Sequence, residues 1–159
     1  MTLSLQTYSD GGARGNPGPA AIGVVICAEN GKILEEASKT IGERTNNQAE
    51  YEAMLWALQL ARQRKARRLR CHADSELIIY QLQGVYRIKD LHLKTLAEKV
   101  KSLAAQFESI TFRQIPRSHA MITRADKLLN QTLDRAKAKA PSRHESSTRT
   151  NEYVQEEFL

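Results

Sequence analysis

The sequence lacks the features that would mark a membrane, secreted or zinc-bound protein. No run approaches the roughly 18 consecutive apolar residues that a membrane span requires. The N-terminus, MTLSLQTYSD, has neither a basic n-region nor a long apolar stretch, so no secretory signal and no membrane partner are expected. Cys27 and Cys71 are the only cysteines. Their separation suits neither a metal-ligand pair nor a disulfide framework, which points to a reducing, cytoplasmic setting with no disulfide partner. The single tryptophan, Trp56, lies inside an expected helix, where packing accounts for it better than base stacking. No GxGxxG opens a helix and no Gly-Lys-Ser/Thr occurs, which excludes dinucleotide-binding and P-loop readings. There is no internal repeat.

What remains is a chain of 159 residues, 41% hydrophobic and 26% charged, suited to one compact domain. The net charge of +6 is unevenly spread. Residues 1–58 carry four basic and seven acidic side chains, residues 59–136 sixteen and seven, and residues 137–159 four of each. A basic middle favours a polyanionic partner such as nucleic acid.

Periodicity supplies the elements. Leu3 to Asp10 alternates and reads as a strand. The apolar run Ala20 to Ala28 suits a strand buried on both faces. Asn30-Gly31 makes a hairpin turn, and Ile33 to Ile41 returns as a third strand. Thr45, Asn46 or Asn47 can cap a helix running to about Lys65. Leu69, Cys71 and Ala73 alternate with Arg70, His72 and Asp74 in a fourth strand. Ser75 caps a short helix ending near Gly84. Leu93, Leu96, Val100, Leu103 and Phe107 define an amphipathic helix. Ile110 to Gln114 reads as a fifth strand, and a last helix spans about Thr123 to Lys139. The order βββ-α-β-α-α-β-α implies an α/β fold: a mixed sheet with helices on its faces. Residues 141–159, with no large apolar residue before Tyr153, read as a disordered tail beyond a domain at 1–140.

Four acids fall at the ends of these elements: Asp10, Glu50, Asp74 and Asp126. Glu50 shares a face with Met54, Ala57 and Ala61, and Asp126 with Leu129 and Leu133. A carboxylate on an apolar stripe is costly unless paired or bound to a cation. Each acid alone is explained by capping or the helix dipole. Together they suit a pair of hard divalent cations, which take oxygen ligands and can hydrolyse a phosphodiester. The stretch Gly11 to Gly18 follows Asp10 directly and is expected to be a loop whose glycines admit close backbone approach.

These residues carry a resemblance. YSDGGARGNPGPAAIGVVI, TNNQAEYEAMLWALQLA, ADSELIIYQLQG and RADKLLNQTLD, in that order and spacing, resemble type 1 ribonuclease H, in its short bacterial and archaeal branch, over about residues 3–136. The resemblance implies a five-stranded mixed sheet of order 3-2-1-4-5 with helices on both faces. It implies an endoribonuclease that cuts the RNA strand of RNA/DNA hybrids with two Mg²⁺, which Mn²⁺ can replace, leaving 5′-phosphate and 3′-hydroxyl ends. Its metal-binding acids fall on Asp10, Glu50, Asp74 and Asp126. Its RNA-strand contacts fall on the backbone of Gly11, Gly12 and Gly15 and on Asn16, and its DNA-phosphate grip on Thr45 and Asn46. Some members carry a mobile histidine in the loop occupied here by His119, which would act as an auxiliary acid or proton shuttle; an exposed loop histidine is the alternative. The basic protrusion that some members use to grip the hybrid has no room between Gly84 and Leu93. The cluster Arg62, Arg64, Lys65, Arg67 and Arg68 starts about 18 Å along the helix from Glu50 and reads as a solvated helix end. The C-terminal Gln155-Glu156-Glu157-Phe158-Leu159 resembles, with imperfect spacing, the clamp-binding peptides of replication partners. Two other functions fit the same features: a broader nuclease that also cuts double-stranded RNA, and a hybrid-binding module that does not cut.

Overall fold

The computed structural model describes residues 3–139. The expected tail at 141–159 and the clamp-like peptide within it lie outside these residues. The element order is β1 (Ser4–Ala13), β2 (Gly18–Ala28), β3 (Ile33–Arg44), α1 (Asn46–Gln63), β4 (Arg68–Ala73), α2 (Glu76–Leu82), α3 (Leu91–Ala104), β5 (Ser109–Gln114) and α4 (Ala120–Ala138). The five strands form one sheet in the order β3-β2-β1-β4-β5, as the resemblance implies. β1–β2 and β2–β3 are antiparallel, whereas β1–β4 and β4–β5 are parallel.

The continuous apolar run of β2 is explained by cover on both faces. Val24 and Ile26 join a large core with Leu5, Met54, Leu58, Leu69 and Val100, on the face carrying α1 and α3. Val25 and Cys27 face the other way, toward Ile122 and Ala125 of α4. Cys27 and Cys71 are both free and buried, in separate clusters. Among the described residues no helix is long and apolar enough to cross a membrane.

Several boundaries differ from the periodicity; β3, for one, runs on to Arg44. β1 continues to Ala13, so Gly11 and Gly12 are strand residues rather than loop, and only residues 14–17 turn. Cross-strand pairing with β2, from Gly11↔Ile22 to Ala13↔Ala20, holds them extended. α3 stops at Ala104, yet Phe107 still reaches the core from the turn beyond it. α4 starts at Ala120, capped by His119, whose Nδ1 accepts from the Met121 amide at 3.1 Å. Imidazole is an uncommon cap, so sequence preference alone does not mark this start.

The cluster after α1 is largely engaged in ion pairs: Arg64 with Glu35, and Arg67 and Arg68 with Glu108. It lies at the start of β4, the end opposite Asp74, so solvation and pairing account for it.

Candidate active site

Two close approaches of helix to sheet build the site. A Cβ on Gly11 would collide with the carbonyl oxygen of Ala49, so only glycine lets α1 cross β1 there. Ala49 precedes Glu50. On the opposite face a Cβ on Gly23 would collide with the carbonyl oxygen of Ala125, which precedes Asp126. Gly23 is the cross-strand partner of Asp10. Each glycine therefore lowers a helix onto the sheet beside Asp10, and each helix brings its acid with it. Asp74 arrives from the end of β4, the parallel neighbour of β1.

Asp10, Glu50 and Asp74 each offer a carboxylate oxygen within 4.8 Å of the others. Asp126 lies outside that triad but hydrogen-bonds Asp10. Asp10 is buried, with 7% of its surface exposed. Burial and the charges of Asp74 and Asp126 push its carboxyl up to about 8 from 3.8. Burial and Asp74 raise Glu50 to about 7, against a lowering hydrogen bond from Ser75 and the charge of Arg117. Acids this close, with so little compensating positive charge, suit a multivalent cation in an all-oxygen site.

The acids open into a cleft of about 420 Å³. Gly11, Gly12 and Asn46 line it; Gly15, Asn16, Thr45 and His119 do not. Asn16 and Asn46 instead tie the β1–β2 turn to the start of α1. The Asn46 amide donates to Asn16 Oδ1 at 3.1 Å, and the Ala13 amide donates to Asn46 Oδ1 at 2.9 Å. Gly15 takes a positive φ in that turn. Thr45 caps α1 in a reciprocal pair with Gln48.

Sequence reasoning missed several residues here. Arg117 approaches Asp126 at 3.7 Å. Asn130 Nδ2 donates to Asp126 Oδ1 at 3.2 Å. Arg14 reaches Asp134 at 2.7 Å and Asn130, bracing the turn against α4. Ser75 is legible as a cap but not as a donor to Glu50. Arg14 lies more than 100 positions from its partners on α4 and Ser75 lies 25 from Glu50, separations that no local pattern marks, and Arg117 sits in a loop; Asn130 is four residues after Asp126 on α4, a helical spacing that could have flagged that pair.

Fold and site agree with a family match. The family described as reverse transcriptase-like matches residues 8–131. The ribonuclease HI of Halobacterium salinarum is 39% identical over 132 residues, 83% of this chain and 65% of that protein. The bifunctional protein Rv2228c of Mycobacterium tuberculosis is 38% identical over 135 residues, 84% of this chain and 36% of that protein. The chain thus spans less than two thirds of the length of these relatives. The crystal structure of the Halobacterium RNase H1 superposes with a TM-score of 0.80 at 38% identity, covering 84% of this chain and 99% of that one. LC11-RNase H1, solved in complex with an RNA/DNA hybrid, superposes with a TM-score of 0.78 at 43% identity, covering 83% and 98%. The chain belongs to the type 1 ribonuclease H family.

Proposed function

We propose that this chain hydrolyses the RNA strand of RNA/DNA hybrids, with two Mg²⁺ ions held by Asp10, Glu50, Asp74 and Asp126, leaving 5′-phosphate and 3′-hydroxyl ends. The observation that carries the reading is the convergence of three carboxylates within 4.8 Å, with Asp126 hydrogen-bonded to one of them. When bound, such a metal pair supplies an activated water and stabilises the leaving oxygen of a phosphodiester. Mn²⁺ offers the same oxygen preference and can substitute.

The protein's own groups do the rest. Asp10, most buried of the four, anchors the site from the rigid centre of the sheet. Ser75 and Asn130 orient Glu50 and Asp126 by hydrogen bonds. Arg117, exposed beside Asp126, is placed to meet a phosphate oxygen of the RNA strand. The extended backbone of Gly11 and Gly12 and the Asn46 side chain line the cleft where a ribose 2′-hydroxyl, both donor and acceptor, would be read. Gly15 and Asn16 support that edge from the turn. The start of α1 at Thr45 and Asn46 favours a DNA-strand phosphate. The hybrid complex of the relative LC11-RNase H1 supports this choice of substrate.

Four acids in one cleft speak against a module that binds without cutting. We assign residues 1–140 to the catalytic domain and 141–159 to an appendage not needed for cleavage. The two free, buried cysteines suit a cytoplasmic setting. Product analysis tests the chemistry: cleavage of a hybrid with labelled RNA should yield 5′-phosphate ends. Ends bearing 2′,3′-cyclic phosphate would show that the 2′-hydroxyl attacks instead, and the metal-water reading would fall.

A further inference from the structure

Three rings stack just below the acids. Tyr8 and His72 are register partners on β1 and β4, and their rings lie 4.5 Å apart at 11°. The His119 ring also stacks with Tyr8, 5.3 Å away at 20°. Tyr8 stands two residues before Asp10 on β1, so the two share a strand face, and His72 stands two residues before Asp74, which follows the end of β4 directly. His119 caps α4, the helix that carries Asp126.

The rings are fixed at both ends. His72 is buried and its Nδ1 lies 3.1 Å from the Thr7 carbonyl oxygen. His119 Nδ1 accepts the Met121 amide, which sets the plane of its ring. None of the three lines the cleft that holds the acids.

We propose that the His72–Tyr8–His119 stack is a positioning device that registers β1, β4 and α4 against one another, so that Asp10, Asp74 and Asp126 converge on metal. His119 then acts through the stack rather than as a proton shuttle. The proposal rests on the metal-site reading above. Planar stacking fixes the separation and tilt of the three elements in a way that a flexible aliphatic contact does not. The face of Ile122 and Ala125 buries toward Val25 and Cys27, and the stack adds the contact that links the start of α4, through Tyr8 of β1, to β4.

The test is Mn²⁺ binding to the substrate-free full chain, read from loss of the free-Mn²⁺ EPR signal. Tyr8→Leu keeps bulk and removes the middle ring; Tyr8→Phe keeps the ring. His119→Asn keeps a capping acceptor and removes the outer ring; His119→Phe keeps a ring and removes the acceptor. Tyr8→Leu and His119→Asn should weaken Mn²⁺ binding about tenfold, the low end of the effect of groups that orient metal ligands. Tyr8→Phe and His119→Phe should restore it to within about twofold. A folded Tyr8→Leu that binds Mn²⁺ as the unmodified chain does would overturn the proposal. So would a His119 pair in which Asn binds normally and Phe does not, because the cap and not the ring would then matter. Should Tyr8→Leu fail to fold, the His119 pair decides. An unmodified chain that binds no Mn²⁺ would instead remove the metal-site reading, and the stack's role with it.

Discussion

Replacing Asp10 by asparagine should make the metal-free protein more stable while abolishing its activity. The Asp10 carboxyl is pushed from 3.8 to about 8 by burial and by Asp74 and Asp126. Between about pH 4 and pH 8 the folded chain therefore holds a proton that the unfolded chain has released. Stability falls as pH rises through that window. At about 1.4 kcal/mol per tenfold change in acidity, the displacement sets an upper bound of about 6 kcal/mol. The hydrogen bond with Asp126 lets the neighbouring acid carry part of the load, so about 2 kcal/mol is expected, within the range for neutralising a buried charge. Asp10→Asn keeps the shape and has no proton to lose. Urea unfolding in EDTA should show the variant level with the unmodified chain near pH 4 and about 2 kcal/mol more stable at pH 8. The lowered His72 acts with the opposite sign below about pH 6.5 but is common to both proteins and drops out of the difference, whereas the raised Glu50 acts with the same sign and is coupled to Asp10, which also keeps the expected offset below the bound. A variant less stable than its parent at pH 8, or an offset independent of pH, would refute the electrostatic account of the site.

Gly23→Ala should push α4 off the sheet beside Asp126; a loss of about 1–3 kcal/mol in urea unfolding, with a raised metal requirement for cleavage, is expected, and unchanged values would contradict the close-approach account. Hybrid affinity, measured with Ca²⁺ in place of Mg²⁺ to block turnover, should fall with salt at a log–log slope near −4, for about four phosphate contacts. A slope of −8 or steeper would reveal a further grip, with the Arg62–Arg68 cluster the first suspect. Removing residues 141–159 should leave cleavage within a few-fold of the full chain, whereas an unfolded or largely inactive truncation would tie that segment to the domain.

Much of this was legible in the chain. Alternation and apolar runs mark all five strands, and the double-sided burial of β2 follows from an unbroken Ala20–Ala28. The acids stand out because Glu50 and Asp126 interrupt apolar helix faces and Asp10 and Asp74 close alternating runs of sequence. What was not legible is tertiary. Gly11 and Gly12 look like loop glycines until pairing with β2 extends β1 through them. Gly23 looks like a weak point in a strand until α4 is seen resting on it. The start of α4 hides behind a histidine cap, and the stack of Tyr8 on His72 and His119 joins residues up to 111 positions apart in the chain. Local pattern reports which face a residue occupies; it does not report which helix comes down on it.

The role proposed for the four converging acids is to bind metal that cuts RNA in a hybrid. Its most direct test is cleavage of matched RNA/DNA, RNA/RNA and DNA/DNA duplexes by the full chain and by Asp10→Asn, each with Mg²⁺ and with EDTA. The unmodified chain should cut the RNA strand of the hybrid in Mg²⁺, lose that cutting in EDTA and as Asp10→Asn, and leave DNA/DNA uncut. Cleavage of the hybrid by Asp10→Asn at near the unmodified rate, or full activity in EDTA, would contradict it.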